Sequence, residues 1–417
     1  MKTATLSVWL TMAAAALVAT PVAGQPSVDV TFGRSLAPLT ATDGTTTTMA
    51  DSRQMTAGSV DLEHRVANEQ MRLFYSLDAG TYNTPGDWSY YLHTAGGTWR
   101  STKADSTRPT LFIGGSAAWR GNGASWAAAD YKGLGAFANV EWRPRPTATL
   151  RAGYRFDARA FPDSPELNQR EHGIFGSVLV ILPSRTTLIA EVRAGLKSYA
   201  TGMDVIAVPV EATSSAPSVT GGNGRGQGLG GAYRHTMTTV LPIDTASPSS
   251  SLDPARLVSV MGRIAQSLAN RTGISVQYTG RVSFGGLPTA IVTTPALFFE
   301  DGIYDDPYAS NAHALRGTLK QVFSSGAQLE GGGTWLRKDY RASPPLNLDG
   351  SVNAAAGTRA DRIWRAGAAW TQPVLRNRTG PIGLDLVVDY WYTTHHSNDA
   401  FYNYTSHALG LGVSVSY

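Results

Sequence analysis

Thr405-Ser406-His407-Ala408-Leu409-Gly410-Leu411-Gly412-Val413-Ser414-Val415-Ser416-Tyr417 alternates without a break. Leu409, Leu411, Val413, Val415 and Tyr417 fall on one face of an extended chain. Ala408, Gly410, Gly412, Ser414 and Ser416 fall on the other. Side chains of a strand point to opposite faces with a period of two, so this segment reads as a strand with an apolar face and a small or polar one. Such a strand suits a wall with lipid on one side and water on the other.

The same thirteen residues, closed by an aromatic, resemble the C-terminal insertion signal of bacterial outer-membrane β-barrels. The resemblance is to a porin-like superfamily and assigns no specific family. It implies an all-β fold, a closed antiparallel transmembrane barrel, with short periplasmic turns and long extracellular loops. It also implies contact with outer-membrane lipid and delivery to a barrel assembly machinery through the last strand.

The other end of the chain supports export independently. Lys2 makes a short positive region, Leu6 to Ala19 is apolar, and Val22-Ala23-Gly24 has the small residues that precede a cleavage site. Residues 1–24 therefore read as a signal peptide and 25–417 as the barrel. The apolar run ends at Pro21, short for a membrane helix, and no later run of about eighteen apolar residues follows, which speaks against helical spans. The 417 residues contain no cysteine, so neither a disulfide framework nor a thiolate metal site is available. Glycine is abundant (44 residues), charged residues make up 16%, and the 10 Trp and 17 Tyr suit interfacial anchoring. A slightly negative mean hydropathy is compatible with a wall in which only alternate residues meet lipid. The net charge of +4 is scattered, which gives no case for nucleic acid binding.

Alternation recurs along the chain. The clearest strand carries Ala148, Leu150, Ala152, Tyr154, Phe156, Ala158 and Ala160 on one face and Thr149, Arg151, Gly153, Arg155, Asp157 and Arg159 on the other. The predicted strands are 26–34, 58–66, 70–81, 88–100, 109–119, 132–143, 147–160, 170–182, 185–199, 256–268, 273–284, 312–323, 327–340, 359–372, 381–394 and 405–417. Sixteen is even, as a single-chain bacterial barrel requires. If the first two strands formed a periplasmic arm, fourteen would remain. Short connections at 67–69, 144–146, 183–184, 269–272 and 324–326 alternate with long loops at 35–57, 200–255, 285–311 and 341–358. One segment resists: Asp253 and Pro254 resemble a helix start, and Leu257, Val260, Met261, Ile264 and Leu268 follow helical spacing. Strand parity favours reading 256–268 as a strand.

Function in such a chain belongs to the inward face. Arg151, Arg155 and Arg159 recur every fourth residue and stack along one strand at about 13 Å intervals. Arg193, Lys197, Arg316 and Lys320 extend this basic set, and Glu191, Glu330, Asp385 and Asp389 add acids. The set reads either as a basic ladder that attracts anionic solutes or as a web of ion pairs that stiffens a wet wall and selects nothing. In loop 285–311, Glu300, Asp301, Asp305 and Asp306 place four carboxylates within seven residues, which could hold calcium or form the acidic side of a constriction; without the ligand spacing of an EF-hand they read as a solvated acidic turn, and no metal site is assigned. The Gly-rich run 221–231 formally matches a dinucleotide fingerprint but lacks the strand-to-helix context, and it reads as a surface loop whose function the sequence leaves open.

No catalytic residues are expected. His395, His396 and Asp399 near the outer rim resemble outer-membrane proteases of the omptin type in position only, and adjacent histidines on a strand point to opposite faces. Trp142, Trp370 and Tyr417 fall at periplasmic strand ends and Tyr390 and Tyr392 near an outer end, as membrane-girdle aromatics do. Inward rings are few, Phe137, Phe175, Tyr199 and Trp391, too scattered for a sugar slide. The expected activity is a water-filled pore for passive or weakly selective diffusion of small polar solutes, without cofactor. The alternatives are a barrel that exports or assembles surface polysaccharide or lipoprotein, and a plugged structural or adhesive barrel. The export class usually carries a periplasmic domain of helical repeats, for which the predicted strands leave no room. Porins of this strand number are often trimers, yet no strand shows a small-residue outer face to mark the contact.

Overall fold

The computed structural model describes residues 26–37, 39–41, 53–66, 70–82, 89–101, 108–123, 127, 130–165, 168–199, 216–220, 232–236, 254–285, 307–347, 351–376 and 383–416. They are almost entirely β. The strands are β1 (Pro26–Ala37), β2 (Leu39–Ala41), β3 (Arg53–Val66), β4 (Met71–Tyr82), β5 (Tyr90–Arg100), β6 (Thr110–Asn122), β7 (Tyr131–Arg145), β8 (Ala148–Ala160), β9 (Gln169–Ile181) and β10 (Thr186–Tyr199). There follow β11 (Ala216–Thr220), β12 (Ala232–Thr236), β13 (Ala255–Ala269), β14 (Thr272–Gly285), β15 (Ser310–Val322), β16 (Gln328–Tyr340), β17 (Ala360–Arg376), β18 (Gly383–Ser397) and β19 (Tyr404–Ser416).

Consecutive long strands pair antiparallel throughout. From β3 to β10 each bonds the next, β10 passes over the β11–β12 hairpin to β13, and the ladder runs on to β19. At the start of the chain, β1 pairs with β3 along one edge and with β19 along the other. The short β2 continues β1 against β19, and the residue between them is Pro38, which has no N–H to give a ladder.

The pleat sorts side chains as the alternation requires. Leu134, Val140 and Trp142 of β7, Leu150 and Tyr154 of β8, Val192 and Leu196 of β10, and Leu409, Leu411, Val413 and Val415 of β19 are exposed. Between them, Ala408, Gly410 and Gly412 are buried. A continuous apolar surface of this extent would be unstable against water; it is the surface a protein presents to hydrocarbon. Among the described residues no helix is long and apolar enough to cross a membrane, which says nothing of strands.

Some local details agree with the sequence reading and others depart from it. Segment 256–268 is strand, β13, despite its helical spacing: backbone pairing to β10 and β14 on both sides outweighs a local period, and Val258, Val260 and Ile264 point outward. The turn read at 144–146 lies at 146–147, because a bulge between Trp142 and Arg145 absorbs Pro144 into β7. β1 runs to Ala37, β2 covers Leu39–Ala41 and β3 starts at Arg53, all inside the segment read as loop 35–57, and β15 begins at Ser310, inside the loop read as 285–311. The loop 200–255 is not wholly irregular: it carries the β11–β12 hairpin, and β12 lies against β19 and the 3-10 turn Ala400–Tyr402.

Candidate functional site

The inner face of β8 and its neighbours holds the basic ladder, and each arginine has company. Arg155 lies 2.5 Å from Asp157 and 3.5 Å from Glu171 on β9. Arg151 lies 3.6 Å from Glu141 and donates to Asn139 Oδ1, while Glu141 also binds Arg143 at 2.8 Å. On β10, Arg193 is bonded to Glu191, two residues away on the same face. Strand geometry makes this natural, because residues i and i+2 share a face and are about 6.6 Å apart along the strand. Exposed pairs of this kind contribute about 0–1 kcal/mol each. They leave the wall polar and nearly neutral in local charge.

Near the long-loop end of the strands, several cations rest on aromatic rings. Arg120 lies 4.6 Å from the Tyr90 ring centre, Arg159 5.2 Å from Tyr131, Arg365 4.4 Å from Trp391 and Lys197 5.8 Å from Tyr308. Lys197 shares the inward face with Arg193 but is only 3% exposed, so it offers little of its charge to solvent. These contacts were not anticipated. Their sequence trace is an inward aromatic close to a strand end, as at Tyr90 and Tyr131.

The most tightly built cluster joins β17, β18 and the loop that precedes β17. Arg359 is held between the rings of Tyr402 (3.2 Å) and Tyr340 (4.4 Å). It donates through Nε and Nη2 to both carboxylate oxygens of Asp361, at 3.0 and 2.5 Å. Ser397 Oγ donates to the same carboxylate, and His395 Nε2 lies 3.2 Å from it. All of Arg359, Asp361 and His395 are buried. His396, the next residue, is exposed on the other face, as strand geometry demands. Asp399 Oδ2 accepts from the Leu346 amide at 3.2 Å. Ala400 N returns a bond to Leu346 O, Asn398 Nδ2 reaches Thr358 O, and Ala360 N donates to Asn398 Oδ1. The loop between β16 and β17 is thereby stitched to the turn between β18 and β19. This cluster is a clasp, with its charges spent on each other.

Asp389 is buried on β18 with its carboxylate against the backbone of Gly410, and Arg365 is the cation of neighbouring β17 on the same face. Arg316 and Lys320 of β15 and Glu330 of β16 share the inward parity, and Lys320 is opposite Glu330 in register. Asp385 lies lower on β18. Phe137 covers Gly114 and Trp391 covers Gly367; a Cβ on Gly114 would be 2.5 Å from the Phe137 ring, so only glycine admits these inward rings. Phe175 lies over Gly153 likewise. Glu300, Asp301, Asp305, Asp306, the Gly-rich run 221–231, Tyr417, the side chain of Tyr199 and residues 1–24, read from sequence as a signal peptide, lie outside the described residues.

On the outer face, Trp142 is exposed and Trp370 packs 5.2 Å from Phe323. Four tyrosines each bond a histidine on the following strand: Tyr75 with His93, Tyr154 with His172, Tyr278 with His313 and Tyr390 with His407, at 2.6–2.7 Å between OH and Nδ1. Tyr392 adds a ring contact to His407. The sequence carries their trace as a separation of 17 or 18 residues in three of the pairs.

No family model matches the chain, and no curated protein does. Among solved structures it is similar to Pseudomonas aeruginosa OpdL (8% identity, TM-score 0.45, 95% of this chain and 99% of that one) and to Pseudomonas aeruginosa OprD (7%, 0.42, 94% and 95%). A bacterial polysaccharide outer membrane secretin matches at the same level (9%, 0.44, 94% and 97%). At these identities and scores the likeness carries no argument about solute or activity.

Proposed function

We propose that the chain is an outer-membrane β-barrel of sixteen strands, β1 and β2 counting as one and β11–β12 standing apart, that encloses a water-filled pore for passive or weakly selective diffusion of small polar solutes. The observation that supports this reading is the antiparallel register of β1 with β19, Asp29 opposite Ser416 through Leu36 opposite Leu409, beside its pairing with β3. In hydrocarbon an unpaired backbone group costs several kcal/mol, so a spanning sheet is stable only as a ring. Lipid meets the apolar face, and water and solute meet Arg151, Arg155, Arg193, Arg316, Lys320, Glu330 and Asp385. A signal peptide at 1–24 would direct export, and the last strand would engage the barrel assembly machinery.

The inner wall works by offering hydrogen-bonding and charged groups to a solute that sheds part of its hydration shell on entry. Because the arginines of β8 and β10 are matched by Glu141, Asp157, Glu171 and Glu191, their field is largely cancelled and preference for anions is weak. Conductance in planar bilayers under a salt gradient tests this. The wild-type chain gives ohmic steps with a small reversal potential. Substituting Arg151 and Arg155 together by Gln leaves their carboxylates unbalanced and shifts the reversal potential toward cations. Conductance without any shift would place these residues outside the conduction path.

A further inference from the structure

On the outward face, at the long-loop end, four basic side chains stand in one cross-strand row. His313 of β15 is opposite Arg337 of β16, Arg337 is opposite Arg362 of β17, and Arg362 is opposite His396 of β18. All four are exposed. With strands about 4.8 Å apart, the row is about 14 Å long. The next outward row toward the membrane centre is Leu315, Trp335, Trp364 and Thr394, and the Trp335 and Trp364 ring centres are 6.4 Å apart. Leu315 and Trp364 are 47% and 55% exposed.

Two features point to an anion from the membrane. Directly opposite arginines on an antiparallel pair repel, and a counter-charge between them relieves that repulsion. Asp339 supplies part of it by bonding Arg337 at 3.0 Å, but it is a neighbour of Arg337 on β16. Arg362 carries its charge on the adjacent strand. The second feature is depth. Two residues of a tilted strand rise about 5 Å along the membrane normal, which carries a side chain from the edge of the hydrocarbon into the headgroup layer. A basic row one step above a Leu-Trp-Trp row therefore matches a molecule with phosphate at one end and acyl chains at the other. His313 Nδ1 is hydrogen-bonded to the Tyr278 hydroxyl at 2.7 Å, and His396 Nε2 lies 3.3 Å from Thr394 Oγ1.

We propose that the row His313, Arg337, Arg362 and His396 binds the phosphorylated headgroup of an outer-leaflet lipid, whose chains lie on Leu315, Trp335 and Trp364. The site rests on the membrane-barrel reading above. Guanidinium groups suit it because each forks onto phosphate oxygens.

The test uses the full chain in phosphatidylcholine nanodiscs carrying bisphosphorylated lipid A or its enzymatically dephosphorylated form, with bound lipid counted by native mass spectrometry. The phosphorylated form should be retained about tenfold more strongly, and the variant carrying Arg337→Gln and Arg362→Gln should lose that preference while its bilayer conductance stays at the wild-type level. Arg362→Lys, which keeps charge without the fork, should keep part of it. Equal retention of both lipids, or an unchanged preference in the double variant, overturns the site while leaving the pore intact. A chain that enters neither nanodiscs nor bilayers overturns the barrel reading and this site with it.

Discussion

Arg359 shows how one side chain organises the rim. Its guanidinium is buried between two tyrosine rings and forked onto Asp361, so its charge is fully matched where water is excluded. Removing one partner of such a pair leaves the other buried and uncompensated, at a cost of about 3–5 kcal/mol. Arg359→Ala should accordingly lower stability by about that amount in denaturant unfolding from detergent, whereas Arg155→Ala, whose pairs are exposed, should cost no more than about 1 kcal/mol. Equal costs would mean that the clasp is loose. Little of this was legible beforehand. The sequence placed His395, His396 and Asp399 together near the rim and said only that adjacent histidines on a strand point to opposite faces. Asp361, whose carboxylate lies beside His395, is on another strand, and only cross-strand register brings it there.

At the level of elements, strands were legible because burial on one face and lipid on the other impose alternation on almost every segment. β8 and β19 read off directly. β13 did not, since its apolar residues also satisfy a helical period, and the bonds that decide it come from β10 and β14. Loops were the least legible part. The segment between β16 and β17 looked like a free extracellular loop, yet it closes on itself through Leu346 and Val352 and is tied to the β18–β19 turn through Asp399, Asn398 and Ala400. Those ties are hydrogen bonds to backbone, which leave no periodic trace. Asp399→Ala removes the acceptor for the Leu346 amide. It should speed trypsin cleavage at Arg341 and Arg359 several-fold in the folded protein without changing the heat-shifted mobility of the barrel on a gel. Unchanged cleavage would assign the loop's order to other contacts.

For the molecule as a whole, the central claim is that the sheet forms a ring, so that the first and last long strands share a seam. On that proposal the other properties would follow: one wall can be charged because it would face an enclosed lumen, and the other can be apolar because a ring would leave no backbone edge among acyl chains. The antiparallel strands follow from the alternation in the sequence, but the pairing of β1 with β19 is not encoded in any local pattern. The chain has no native cysteine, so an introduced pair reports without background. Val30 and Val415 are opposite each other in the β1–β19 register, and opposed Cα atoms in antiparallel strands are about 4.5–5.5 Å apart, within disulfide reach. Val30→Cys with Val415→Cys, folded in detergent and oxidised, should form an intramolecular disulfide in nearly every molecule and still open ohmic channels in a bilayer. Failure to cross-link in protein that is otherwise folded would contradict the ring.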